Sequence, residues 1–167
     1  MNLIESSVRG AFLLVKQMQK LLVSSCLLGN PVRYDGQSQN LLHPGLEALK
    51  QQGRLVAFCP EVAGGLPTPR PPAEIKAGRV LTKDAQDVTV QFAYGAEQAL
   101  KLCKKQGIRY ALLKESSPSC GRNTIYDGSH SGKKISGMGL TAKLLTDNNI
   151  AVYSEQQLPA LFAALAD

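Results

Sequence analysis

Four short apolar, β-tolerant runs, separated by helix-forming stretches, constrain this chain more than any other feature. They are Leu21–Ser25, Arg54–Phe58, Tyr110–Leu113 and Ile150–Tyr153. None alternates between polar and apolar residues, the pattern of a strand buried on both faces. Helical signals lie between them. Pro44 to Gln52 carries proline in its first turn and Gly53 as its stop. Within Asp84 to Gln106, the residues Phe92, Ala96, Ala99, Leu100 and Cys103 share one helical face, and Gly107 ends the pattern. Gly139 to Asp147 and Glu155 to Leu165 read as two further helices. Strands alternating with helices mean right-handed βαβ units. The expected fold class is α/β: a single-domain, three-layer α/β/α arrangement around a mostly parallel, Rossmann-like sheet.

A chain of 167 residues is large enough to fold around one core without disulfide staples. The α/β domain is expected over residues 20–167, with residues 1–19 as an N-terminal appendage. The longest apolar runs, Ala11 to Val15 and Leu158 to Ala166 (broken by Pro159), are too short to span a bilayer. No export signal stands out, so the expected compartment is a reducing cytoplasm. The net charge of +6 includes Lys101, Lys104 and Lys105 clustered on the long helix and Lys133-Lys134 in a loop, with no Arg-rich run and no basic–aromatic interleaving. That composition fits a solvated surface, so neither nucleic acid nor a membrane is an expected partner. The oligomeric state is left open.

The cysteines fall into two kinds. Cys26, Cys59 and Cys120 each follow one of the first three strands, whereas Cys103 lies on the apolar face of the long helix. Loops at the carboxyl ends of parallel strands share one edge, where α/β folds bind ligands. Three thiols from three strand ends can therefore meet, while Cys103 reads as core packing. Structural zinc usually shows close C-x₂-C pairs, which are missing here. Thiolates from distant segments suit a preassembled iron–sulfur cluster, and three ligands would leave one iron open. Spacing alone also permits plain packing.

The surrounding residues carry a sharper signal. The chain reads Cys26-Leu-Leu-Gly-Asn-Pro-Val-Arg33-Tyr34-Asp35-Gly36, then Cys59-Pro60-Glu61, then a proline-dense segment with Pro67, Pro69, Arg70, Pro71, Pro72 and Glu74. Lys114-Glu-Ser-Ser117-Pro118-Ser119-Cys120-Gly121, Ile125-Tyr126-Asp127-Gly128 and Gly139-Leu-Thr-Ala142 follow in order. This series resembles the thiouracil desulfidase family from Lys20 to about Leu158. The resemblance implies a [4Fe–4S] cluster ligated by Cys26, Cys59 and Cys120, and a thiolated nucleobase as the small-molecule substrate. It further implies that Glu61 and Ser117 assist catalysis, with Ser116 and Ser119 as neighbouring alternatives. The expected activity is a non-redox desulfuration, for example of 2-thiouracil to uracil and sulfide. The rival readings are sulfur transfer, and a cluster- or zinc-bearing sensor without turnover.

The remaining signals are weaker. Arg33 and Arg70 are candidates to face the site or the solvent, and Glu74 is a candidate partner for Arg70. Asp35 and Asp127 precede glycines and read as Asx turns. Gly137-Met-Gly139-Leu-Thr-Ala142 matches a dinucleotide fingerprint but follows only a poor strand, Lys134-Ile-Ser136. Close packing of a helix on the Cys120 loop is the better reading of it. His43, beside Pro44, reads as structural; His130 is a candidate to approach the site.

Overall fold

The computed structural model describes residues 19–166; the expected appendage over 1–19 lies, apart from Gln19, outside the described residues. Four parallel strands form the central sheet: β1 (Leu21–Ser24), β2 (Leu55–Phe58), β5 (Tyr110–Leu113) and β8 (Ala151–Ser154). Their order is β2-β1-β5-β8, all pairs parallel. The expected α/β class holds. The sheet is sandwiched because its strands are apolar on both sides. Leu22, Ala111, Leu113 and Val152 face one apolar cluster, built with Ala99, Cys103, Ala142 and Leu145. Leu21, Val23 and Leu112 face the other, with Leu46, Leu49, Leu158 and Leu161.

The helices supply those outer layers. One layer is α3 (Thr89–Gln106) with α4 (Leu140–Asp147); the other is α1 (Pro44–Gln51) with α5 (Leu158–Ala166). Pro44 occupies the first turn of α1, where its missing N–H costs nothing, and the His43 side chain caps the helix through Nδ1. His43 also stacks on Phe162 at 4.8 Å, so it is structural. Helix α3 ends at Gly107, which adopts φ 65° as a left-handed cap. Helix α5 starts at Leu158 rather than Glu155, because Gln157 folds back and accepts the Ser154 N–H.

Three elements went unread in the sequence. A single turn of helix, α2 (Pro60–Ala63), follows Cys59 directly. A hairpin of β3 (Ala73–Lys76) and β4 (Arg79–Thr82) turns through Ala77 and Gly78, both with positive φ. A second hairpin, β6 (Thr124–Tyr126) with β7 (Lys134–Ser136), lies in the long loop after β5, and β7 is the poor strand noted above. Among the described residues no helix is long and apolar enough to cross a membrane.

Two glycines set how closely α2 approaches α3. A Cβ on Gly95 would lie 1.9 Å from the Pro60 carbonyl oxygen, and one on Gly64 would lie 2.1 Å from that of Gln91. Backbone meets backbone at both contacts, so no side chain can swing aside. Gly95→Ala is expected to push α2 away and to cost roughly 1–3 kcal/mol as overpacking. Urea unfolding checks this against Glu97→Ala on the exposed face of the same helix, expected within about 0.5 kcal/mol of the parent.

Candidate active site

The chain connects β1 to β2 on one side of the sheet and places β5 on the other, so the segments leaving β1 and β5 diverge. A crevice opens between them at the carboxyl edge, as topology requires of such sheets. A cavity of about 450 Å³ occupies this edge, lined in part by Cys26, Cys59, Glu61, Arg70, Ser117 and Cys120. The structure therefore brings together all five residues singled out by the resemblance. Cys103 stays in the core, 1% exposed.

Each of the three thiols is placed by a different local device. Cys26 lies in a 3₁₀ turn (Ser25–Leu28) that continues β1 and ends at Gly29 in a left-handed conformation. Cys59 stands at the N-terminus of α2, which Pro60 opens. Cys120 sits in a loop tied from both sides. The N–H groups of Gly139, Leu140 and Thr141 donate to the carbonyls of Gly121, Pro118 and Ser119. The first amides of α4 are therefore consumed by the cysteine loop. The dinucleotide-like motif is a packing motif, and a Cβ on Gly139 would lie 2.4 Å from the Ser119 carbonyl carbon.

All three thiols are harder to ionise than an ordinary cysteine. Burial pushes Cys26 up to about 11; nearby Cys59 adds to the rise, while Lys114 and Arg33 oppose it. Burial also raises Cys59, against the Val62 and Glu61 N–H groups and Arg70. Cys120 is raised well above the ordinary thiol range, by burial first and also by Cys59, Glu61 and Cys26; a hydrogen bond from Ser24 works the other way. All four cysteines are free. Among the described residues no three Cys, His, Asp or Glu side chains stand close enough to share a single metal ion. A cluster asks for something wider, since each thiolate takes its own iron. Three free thiols lining one cavity, Cys26 and Cys120 buried and Cys59 half-buried, fit that demand, and so does Arg70, a wall residue whose buried Nε finds no acceptor among the described residues.

Glu61, in the first turn of α2, is gripped by Arg70 at 2.7 Å. Arg70 is itself buried and donates further to the Pro67 and Val32 carbonyls and the Thr68 hydroxyl. A solvated Arg70 is therefore excluded. Its expected pairing with Glu74 is also wrong: Glu74 points to the β6–β7 turn and accepts the Gly128 and His130 N–H groups at 2.9 Å. His130 stands 3.9 Å from Glu74 and belongs to that anchor. Ser117 Oγ accepts the N–H groups of Ser119 and Cys120, both at 3.1 Å, which leaves its own proton free to donate. Ser116 instead pairs with Thr124 at 2.9 Å, and Ser119 Oγ is buried with no partner among the described residues. Asp35 and Asp127 form the expected Asx turns.

Residues 21–157 match the 2-thiouracil desulfurase family. The chain belongs to this family. It is 57% identical to the solved structure of a [4Fe-4S]-dependent thiouracil desulfidase, TudS (DUF523Vcz), with a TM-score of 0.88. That likeness covers 89% of this chain and 98% of the other. The chain is also 40% identical over 148 residues to the uncharacterized protein YbbK of Bacillus subtilis (strain 168), covering 83% of this chain and 97% of the relative.

One residue that shapes this desulfurase-family site gave no signal in the sequence. Glu115 is 3% exposed, and its Oε1 accepts the N–H groups of Ser116, Arg122, Asn123 and Thr124. Its Oε2 accepts Asn123 Nδ2 at 2.7 Å. Burial alone would raise its pKa, but the N–H donors of Asn123, Thr124 and Ser116 outweigh it and hold the value down at about 2. The unfolded value is near 4.5. This contribution to stability is thus complete above pH about 4.5 and is lost as pH falls through about 2. Glu115→Gln would set an amide against Asn123 Nδ2. A loss of about 2–3 kcal/mol at neutral pH is expected, with a flatter acid limb between pH 4.5 and 2. Urea midpoints measured across that range check both.

Proposed function

We propose that this chain is an iron–sulfur-dependent desulfidase that converts a thiolated pyrimidine such as 2-thiouracil, with water, into the carbonyl compound and sulfide. The observation that carries the reading is the meeting of Cys26, Cys59 and Cys120 on one cavity wall that also bears Glu61. Those three residues would hold the cluster. When bound, it supplies an iron without a protein ligand, a soft Lewis acid matched to a soft thiocarbonyl sulfur. The overall change is C=S plus water giving C=O plus hydrogen sulfide, so no oxidant or reductant is consumed.

The chain's own residues do the rest. Glu61 is the general base toward the attacking water. Arg70 fixes one of its oxygens, Oε2, and leaves Oε1 as the proton acceptor. Ser117 holds the Cys120 loop through its acceptor lone pairs and turns its hydroxyl proton toward the substrate ring. Pro67, Pro71 and Pro72 line the cavity beside Arg70 and form a stiff wall that limits water. Lys114, paired with Glu155 at 2.7 Å, adds a cation near Cys26 that offsets the negative charge of gathered thiolates.

Sulfide release from 2-thiouracil by anaerobically reconstituted protein tests the reading. Replacing Cys26, Cys59 or Cys120 with Ser is expected to remove bound iron and sulfide release together, whereas Cys103→Ala keeps both. Full activity in Cys59→Ser would sink the assignment. Glu61→Gln is expected to keep iron content and to lower kcat by roughly 10²–10⁴-fold, the usual range for losing a general base. Stopped assays with parallel iron determination read both quantities.

A further inference from the structure

The β6–β7 hairpin is short and lies at the surface, yet two buried carboxylates hold it. Strands of three residues each are marginal on their own. Glu115 binds the Asn123 and Thr124 N–H groups at its base. Glu74, on β3, binds the Gly128 and His130 N–H groups at its turn. Gly128 sits so close to β3 that a Cβ would meet the Ile75 carbonyl oxygen at 2.8 Å. The strand between these anchors is fixed in position.

Its two faces have different tasks. Ile125 is buried. By the period of two, Thr124 and Tyr126 share the opposite face. Thr124 is tied to Ser116, and Ser116, Tyr126 and Lys134 all line the cavity that holds the thiols. Tyr126 belongs to no apolar cluster among the described residues. Core packing therefore does not account for it. Lys134, its cross-strand partner, holds its ammonium 5.5 Å from the ring centroid.

We propose that Tyr126 is the stacking platform for the planar base, with Lys134 backing the ring, an inference that rests on the desulfidase reading. The lysine covers one face of the ring by a cation–π contact, and the base lies on the other. Stacking on an aromatic ring reads the flat shape common to thiolated pyrimidines without depending on where the sulfur is attached. Orientation is then left to polar groups such as Ser117 and Glu61. Base–aromatic stacking contributes about 1–3 kcal/mol, which corresponds to roughly 5- to 150-fold in affinity.

Cluster-loaded wild type, Tyr126→Phe, Tyr126→Leu and Lys134→Ala are compared with 2-thiouracil as the probe. Initial rates give kcat and KM, equilibrium dialysis gives Kd, and iron content is measured on the same material. Tyr126→Leu is expected to raise KM and Kd about 10- to 100-fold with kcat and iron content within about threefold of wild type. Tyr126→Phe stays within about threefold throughout, and Lys134→Ala weakens binding by about two- to fivefold. Unchanged KM and Kd in Tyr126→Leu overturn the proposal. If that variant instead loses iron, Lys134→Ala decides, and unchanged binding there overturns it. A wild type that binds 2-thiouracil without releasing sulfide would overturn the desulfidase reading alone, and Kd would still test the platform. A wild type that neither binds nor turns over overturns both.

Discussion

Three thiols brought to the wall of one cavity and largely withdrawn from water set the terms for the rest of this molecule. Each is costly to ionise where it stands, and Cys59 makes ionisation harder still for Cys26 and Cys120. Nothing local in the chain draws them together, since each comes from a different segment. Their meeting depends on the order of the parallel sheet, which brings the ends of β2, β1 and β5 side by side. Any shift in the register of those strands would separate the sulfurs. The two apolar clusters hold that register, with Cys120 packed in one and Cys26 in the other.

A thiol at a strand end is only as well placed as the loop that carries it. The Cys120 loop solves this by satisfying its donors and its acceptors separately. Glu115 takes N–H groups from Ser116 and from Arg122 to Thr124, on both sides of the cysteine. The opening amides of α4 take its carbonyls. Gly121 and Gly139 permit the approach that both arrangements need: a Cβ on Gly121 would meet the Thr124 carbonyl oxygen at 2.5 Å. Backbone groups paired in this way have fewer alternative conformations, and they hold a loop that has almost no secondary structure of its own.

The parts legible in the sequence are those that depend on local pattern. β1, β2, β5 and β8 were readable because buried parallel strands are continuous apolar runs. Helix α3 was readable because Phe92, Ala96, Ala99 and Cys103 repeat at helical spacing. The three thiols could be placed on one edge because strand order constrains loops. What escaped was decided by contacts between distant residues. Nothing near Glu115 signals that its side chain turns back to gather four N–H groups. Glu74 and Glu61 lie close to Arg70 in sequence, yet only Glu61 pairs with it, because β3 carries Glu74 toward the β6–β7 turn. The β3–β4 hairpin hid behind Ala77, a residue seldom found with positive φ. Helix α2 was hidden by its length, although Pro60 is a helix-start signal.

The Glu61–Arg70 pair joins the stiff proline segment to the chemistry. Arg70 is charged and nearly sealed from solvent, with a side-chain exposure of 4%. Such a charge is tolerable only when paired and hydrogen-bonded, and through Nη1 and Nη2 the planar guanidinium reaches Glu61, Pro67, Thr68 and Val32 at once. A lysine could not span those acceptors. Because two of them, Pro67 and Thr68, belong to the proline segment, the rigidity of that segment passes directly to the carboxylate. The carboxylate proposed here as the base would gain from such fixation, since small misplacements of a catalytic group are costly in rate. The density of proline between residues 67 and 72 then has a chemical reason. It holds the arginine, the arginine holds the glutamate, and the glutamate lines the same cavity as the three thiols.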